Sequence, residues 1–284
     1  MDKLLTLATY IFDPLHHFWE HERTQKTVAA LLVLIFLLAL GAIELNRQGW
    51  NPDWLKWFPY TSHFEAVNLA FGFVLVLEVI SLIFTLPCSI SKAVGKQFEI
   101  LALILLRGTF KQLSYFPEPI QVVGNEELVW RIAADGLGAL VIFALLGIYR
   151  LQQRTDEEFK KGEAIFRFVS AKKIVALGLL AIFAGMAVQH FLLLAQAKPV
   201  PEFFPAFYTV LVFSDILLVL IAQQFLPRFR AVFRNSGFAL ATLFIRLALT
   251  APIYYNALLG VGAAIYALGL NMVYNYFYAR KRPN

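Results

Sequence analysis

Long apolar stretches recur along this chain of 284 residues, and they constrain its fold more than any other feature. Each has about 17–23 residues, which is the length that a helix rising ~1.5 Å per residue needs to cross ~30 Å of hydrocarbon. Charged residues make up 15% of the chain, where a soluble domain carries roughly 25%. The sequence therefore predicts an all-α, polytopic membrane protein.

The apolar stretches predict eight membrane helices, of which the third and seventh are the shortest. These helices are expected over residues 27–45, 65–86, 98–114, 129–150, 174–196, 205–226, 237–254 and 257–278. Residues 1–26 have the pattern of an amphipathic helix that lies on the membrane interface. Residues 151–173 are polar and charge-balanced, which indicates a cytoplasmic linker helix. The predicted organisation is thus an N-terminal segment (1–26), a four-helix unit (27–150), a linker (151–173) and a second four-helix unit (174–284).

Basic residues give an independent test of this topology, because cytoplasmic loops are rich in Lys and Arg. With the N-terminus inside, sixteen Lys and Arg fall on cytoplasmic segments, and only Arg47, Lys56 and Lys198 fall on outer loops. Removing either short helix would move later basic loops to the outer side. We therefore expect a protein of the cytoplasmic (inner or plasma) membrane with both termini in the cytoplasm.

The two halves of the chain resemble each other, which predicts an internal duplication. The stretch KTVAALLVLIF (26–36) aligns without gaps with KIVALGLLAIF (173–183). A second alignment, FVLVLEVISLI with VLVFSDILLVL, sets Glu78 against Asp215. Four helices per unit is an even number, so the two units are expected to have the same orientation in the membrane.

Each predicted unit carries one acid on its second helix and one arginine on its third. Counted from the cytoplasmic end, Glu78 and Arg107 lie ~12 and ~14 Å deep, and Asp215 and Arg246 lie ~16 and ~14 Å deep. An unpaired charge at this depth costs at least ~2.5–3.5 kcal/mol, so we expect two intramembrane salt bridges, Glu78–Arg107 and Asp215–Arg246. The pairs either line an ion or proton path, or they lock the helices together; the sequence leaves both interpretations open.

A second polar layer is predicted nearer the outer side, formed by Arg131, Asp135 and His190. Arg131 is close enough to the interface to extend its charge into water. Asp135 and His190 have no counterpart in the other half, and they are candidates for neighbours across the two units. A lone histidine in a helix is more often a hydrogen-bonded packing residue than a ligand.

One catalytic pattern occurs, HFWEH at residues 17–21, which matches the inverted zinc-protease motif H-x-x-E-H. It precedes the first membrane helix, without a protease-sized domain or a third ligand, so we expect neither a metal site nor catalysis there. Phosphate loops, dinucleotide fingerprints and serine elbows are also absent from the sequence. We therefore expect no enzyme and no cofactor, and no nucleic-acid partner, since the loop distribution explains the net charge of +6.

The leading functional hypothesis is a membrane protein whose buried acid–arginine pairs support movement of an ion, proton or small solute, or the gating of that movement. The alternative is a non-catalytic subunit that scaffolds a larger membrane complex. The expected partners are the lipid bilayer and either other membrane proteins or further copies of the chain.

Overall fold

The computed structural model describes residues 2–49, 62–88, 90–152, 163–196, 199, 202–225 and 229–279. These residues form nine α-helices and one 3₁₀ turn, without a strand among them. The helices are α1 (Asp2–Glu20), α2 (Glu22–Arg47), α3 (Phe64–Thr85), α4 (Ile90–Lys111), α5 (Glu126–Leu151), α6 (Glu163–Ala195), α7 (Phe203–Phe225), α8 (Phe229–Thr250) and α9 (Tyr255–Ala279). The 3₁₀ turn, Gln112–Tyr115, continues α4. The prediction of an all-helical chain is confirmed.

Seven of the described helices are long and apolar enough to cross a membrane, namely α2, α3 and α5 to α9. They support a multi-pass membrane protein. Helix α4 also has 22 residues, but its charged residues are spread along its length rather than gathered near its ends, with Lys96, Glu99 and Arg107 in its middle. The eighth crossing, expected over residues 98–114, therefore stays a prediction.

Three helices begin at least eight residues earlier than the apolar pattern predicts. Helix α4 begins at Ile90 rather than at residue 98. Helix α6 begins at Glu163 rather than at residue 174, because residues 163–173 contain neither proline nor glycine to end a helix. Part of the expected linker is thus continuous with the fifth span, and residues 153–162 lie outside the described residues. Helix α8 begins at Phe229 rather than at residue 237 and ends at Thr250. It ends there because the residue before Pro252 is disfavoured in a helical conformation.

The helices pack in chain order within each half, α2 to α5 and α6 to α9. Across the halves, α4 packs on α8 and α5 packs on α9. The central core lies between these four helices and contains Phe98, Ile142, Phe238 and Ile245. Helices α5 and α9 approach so closely that a Cβ atom on Gly138 would lie 2.7 Å from the Cβ of Ala257. The internal duplication itself stays a prediction.

A second core joins α1 to α3, α6 and α7 through buried aliphatic and aromatic side chains such as Phe12, Ile83 and Phe207. Helix α1 buries Leu5, Ala8 and Phe12, whose spacing of three and four residues places them on one face. An ion pair of 2.6 Å between Lys173 and Asp13 adds to this contact with α6. The interfacial position of α1 stays a prediction.

Candidate functional site

The structure brings Glu78 and Arg107 together across α3 and α4. The Arg107 guanidinium donates a hydrogen bond to the Glu78 carboxylate. Glu78 stands two turns before the end of α3, whereas Arg107 stands seventeen residues after the start of α4. The two residues are therefore not at equal distances from the connection between these helices. The Glu78 side chain is 10% exposed and the Arg107 side chain 34% exposed, so one side of the pair remains open.

The open side of this pair faces a cavity of about 360 Å³ bounded by α1, α2, α3 and α4. Thr24, Gln25 and Lys96 line it near the N-terminal ends of α2 and α4. Ser81 lies between them and the ion pair, and it accepts a hydrogen bond of 3.0 Å from the indole N–H of Trp19. Polar side chains therefore lie in this cavity between the N-terminal ends of α2 and α4 and the Glu78–Arg107 pair, among apolar lining residues such as Leu32 and Leu103.

The structure also places Asp215 of α7 beside Arg246 of α8, in a much drier setting. The Nε of Arg246 lies 3.4 Å from the Oδ2 of Asp215, and the two side chains are 1% and 8% exposed. Within the described part of the chain, none of the three guanidinium nitrogens of Arg246 has a hydrogen-bond partner, nor has Oδ2 of Asp215. The pair is thus held by charge and burial rather than by hydrogen-bond geometry.

A small cavity of about 40 Å³ adjoins Asp215 at the contact between the two halves of the chain. Its polar wall is formed by Asp215 together with Gln97 of α4 and with Asn235 and Thr242 of α8, all of them buried. The side-chain oxygen of Gln97 has no hydrogen-bond partner among the described residues. The volume suffices for at least one water molecule, which needs ≳ 10–15 Å³ and two or more polar partners.

Sequence reasoning missed this cavity. It singled out charged residues by their cost of insertion into a membrane, and the uncharged amides of Gln97 and Asn235 cost less. One signal was available in the predicted repeat. Gln97 stands ten residues before Arg107, and Asn235 stands eleven residues before Arg246, so each half has an amide three turns from its arginine. Only the packing of α4 on α8 shows that both amides face the same space.

The three residues of the predicted outer layer lie in different surroundings. Asp135 is buried, and its Oδ1 accepts a hydrogen bond of 3.0 Å from the side-chain amide of Asn256 on α9. The His190 ring packs edge-on against Phe203 with a centroid distance of 5.8 Å. Arg131 pairs with Glu127 one turn earlier on the same helix. The structure thus gives Asp135 and His190 separate partners, and Asn256 is the neighbour that sequence reasoning missed.

The histidines of the HFWEH motif lie at the junction of α1 and α2. The rings of His17 and His21 are 6.0 Å apart between centroids. His21 Nδ1 accepts a hydrogen bond of 3.1 Å from the backbone N–H of Arg23, which caps the start of α2. No group of three or more His, Cys, Asp or Glu is placed to hold a metal ion in the part of the chain that the structure describes.

A polar cluster that sequence reasoning missed lies at the opposite end of α2. The two ring nitrogens of His63 lie 3.1 Å from carboxylate oxygens of Glu44 and Glu118. Arg47 also pairs with Glu118 at 3.1 Å. Burial acts to raise the pKa of Glu118, but hydrogen bonds from the side chain and backbone N–H of His63 and from Ser62 outweigh it and hold that pKa below its ordinary value. The cluster ties the end of α2 to the start of α3.

Comparison with known proteins adds no assignment to these sites. No family model, no curated protein and no solved structure matches this chain. The functional argument therefore depends on the chemistry of the residues described above.

Proposed function

We propose that the chain is a protein of the cytoplasmic membrane that supports movement of an ion, proton or small solute, or the gating of that movement, at Glu78–Arg107. One observation carries this proposal. The Glu78–Arg107 pair faces a cavity of about 360 Å³ that is lined by both polar and apolar side chains, whereas Arg246 of the second pair is 1% exposed. We assign the working role to the first pair and a structural role to Asp215–Arg246.

The chemistry of the accessible pair suggests how binding and gating are coupled. A cation or proton that enters the cavity competes with Arg107 for the Glu78 carboxylate, and an anion competes with Glu78 for the guanidinium. Either event breaks the contact between α3 and α4 and leaves one charge that only the cavity can solvate. An unpaired charge within a membrane is costly, and the part of that cost that the cavity does not offset favours a shift of one helix against the other.

The proposal includes eight crossings in two units of the same orientation, with both termini in the cytoplasm. Pairing of the charges on α4 supports its crossing. Arg107 contacts Glu78, and Glu99 contacts Lys96 and Arg150. Inserting a paired charge into the membrane costs much less free energy than inserting an isolated one. We propose no catalytic activity and no resident cofactor.

Flux into liposomes tests the working role. The purified chain is reconstituted, a pH gradient or a potential is applied, and proton, K⁺ and Cl⁻ fluxes are recorded. We expect Glu78→Gln and Arg107→Gln to abolish the flux of the wild-type protein. Glu99→Gln is the matched control. Glu99 of α4, like Glu78 of α3, is an ion-paired acid, but it lies outside the cavity that Glu78 faces. A folded Glu78→Gln variant with wild-type flux, or a wild-type protein without any flux, would contradict the proposal.

The scaffolding role remains the second candidate, and the packing of α2 favours it. Only 11% of the membrane window of α2 is buried, against 28% for α3 and 39% for α8 and α9. Leu31, Leu34 and Leu38 lie exposed on this helix, which packs mainly on α3. Such a helix is suited to dock on another membrane protein. Native mass measurement after extraction in mild detergent distinguishes the roles, because a lone particle argues against the scaffold.

A further inference from the structure

A groove of about 460 Å³ runs between α4 and α5 on the outside of the helix bundle. Its floor is apolar and includes Ala102 and Leu106 of α4 and Ala139 and Phe143 of α5. Gly136 helps to open it, because a Cβ atom there would meet only the Thr109 methyl group, at 3.7 Å. The groove extends from Leu106 to Glu99, seven residues along α4 and thus ~10 Å.

The groove ends at a charged cluster on the side of the membrane with the basic loops. Glu99 lies at this end and contacts Lys96 at 2.9 Å and the guanidinium of Arg150. Both basic side chains are more than half exposed, whereas the Glu99 side chain is 19% exposed. Two cations around one carboxylate leave one net positive charge, and the carboxylate holds the guanidinium beside the mouth of the groove.

We propose that this groove binds one anionic phospholipid, with an acyl chain along the α4–α5 floor and the phosphate at Arg150 and Lys96. The apolar floor and the basic end follow each other in the order in which a phospholipid presents its acyl chain and its phosphate. Guanidinium groups bind phosphate oxygens through charge-assisted hydrogen bonds. The excess positive charge selects an anionic headgroup over a zwitterionic one, since anionic lipids gain about 1 kcal/mol per nearby Lys or Arg.

The charge also argues against the other occupant of an exposed apolar groove, a second copy of the chain. A two-fold contact through the same face would bring two net-positive clusters together, which like-charge repulsion disfavours. The lipid site does not depend on the proposed transport role, because Glu78 and Arg107 do not line the groove. Lys96 is shared, since it also lines the cavity that this pair faces, whereas Gly136 lines only the groove.

Lipid titration of the full chain tests the site. The protein is purified in a non-ionic detergent, phosphatidylglycerol or phosphatidylcholine is added, and bound lipid is counted by native mass spectrometry. The test variant is Lys96→Gln/Arg150→Gln. The control is Lys111→Gln/Arg131→Gln, which removes two cations from the opposite ends of the same helices. A third variant, Gly136→Leu, fills the groove without altering charge.

We expect one phosphatidylglycerol per wild-type chain, bound at least tenfold more tightly than phosphatidylcholine. The Lys96→Gln/Arg150→Gln variant should bind it roughly thirtyfold more weakly, about fivefold for each cation, and Gly136→Leu should also lose it. The control variant should bind as the wild type does. Equal affinities for the two lipids, equal losses in the test and control variants, displacement by glycerol phosphate alone, or a dimer that excludes lipid would each overturn the proposal.

Discussion

Arg246 and Asp215 face each other with 3.4 Å between Nε and Oδ2, and both side chains are shut away from solvent. Arg107 and Glu78 form the corresponding contact in the other half, but Arg107 is 34% exposed there. The same two charge types therefore stand in two different dielectric settings. Loss of a partner should be costly where the remaining charge has no water and mild where the cavity can solvate it.

The first prediction compares the two acids directly. Asp215→Asn should lower the free energy of unfolding by about 3–5 kcal/mol, because it leaves Arg246 charged and buried. Glu78→Gln should cost about 1–2 kcal/mol, since Arg107 can be hydrated from the cavity. Thermal unfolding in detergent measures both, and Asp215→Asn/Arg246→Gln should recover part of the loss. Equal losses at the two acids would show that exposure does not separate the pairs.

Helix periodicity and insertion cost are enough to identify these four charges from the sequence. The predicted depths select these partners, and the structure places the same side chains in contact. The depths themselves are counted from helix starts at residues 98 and 237, and the structure begins these helices at Ile90 and Phe229. Their functional role stays a prediction, as does the role of the outer layer. The helix class and most helix bounds could also be predicted, because apolar length determines them. The predicted end of the seventh helix at residue 254 is wrong, because Pro252 disfavours a helix at the preceding residue and α8 ends at Thr250.

The remaining contacts join residues far apart in the chain, and no local pattern indicates them. Asp135 and Asn256 are separated by 121 residues, and His63 and Glu118 by 55. An uncharged amide or an exposed histidine has little effect on hydropathy, so neither stands out in the sequence. Which helix faces which across the two halves depends on close packing at small residues, and that information is spread over many positions.

The second prediction concerns the close approach of α5 and α9. The Cβ of Gly138→Ala would lie 2.7 Å from the Cβ of Ala257, and overpacking of this kind costs about 1–3 kcal/mol. Alanine gains ~1 kcal/mol over glycine in a helix, so Gly138→Ala should destabilise the protein by up to about 2 kcal/mol. Gly147→Ala on the same helix is the control, since no atom lies within 4 Å of its added Cβ, and it should be neutral or stabilising. Thermal unfolding of both variants measures the difference. If Gly138→Ala were as neutral as Gly147→Ala, the close packing of α5 on α9 would be contradicted.

The third prediction tests whether α4 crosses the membrane. Cys88 lies exposed just before α4, and Val123 lies 86% exposed after it. A membrane-impermeant maleimide should label Cys88 only from the cytoplasmic side. In a Cys88→Ser background, Val123→Cys should be labelled only from the outer side, and both should react in solubilised protein. Labelling of both from one side would exclude the crossing.

Labelling of Cys88 should also depend on pH in a particular direction. Although Cys88 is exposed at the surface, protein atoms surround much of its thiol, and this burial raises the pKa of the thiol above its ordinary value. The thiolate is the reactive form, so the rate should be low near neutral pH and rise about tenfold per pH unit over the alkaline range. Val123→Cys, with its exposed position, should react faster at neutral pH. A faster reaction of Cys88 at neutral pH would contradict the direction of the shift.

The last prediction concerns the cluster of His63 and Glu118 and its response to acid. Glu118 accepts hydrogen bonds from the backbone N–H of His63 at 2.7 Å and from Ser62 at 3.2 Å, and its pKa is lowered although burial acts to raise it. A carboxylate with a lowered folded-state pKa contributes stability above its unfolded-state pKa of about 4.3. That contribution is lost as the pH falls through the lower, folded-state value. Glu118→Gln should therefore lower the unfolding temperature at pH 6–7, and the difference from the wild type should shrink steadily below about pH 4.3.

Glu127→Gln provides the comparison for this experiment. Glu127 is 69% exposed and pairs with Arg131 of the same helix, so its removal breaks no contact between helices. Exposed pairs of this kind contribute little to stability, and the unfolding temperature of Glu127→Gln should stay close to that of the wild type at each pH. If Glu118→Gln were as stable as the wild type at pH 6–7, the hydrogen bonds from His63 would not contribute to the join between α2 and α3. If its deficit were as large at pH 3 as at pH 6, the loss would come from packing rather than from the ionised carboxylate.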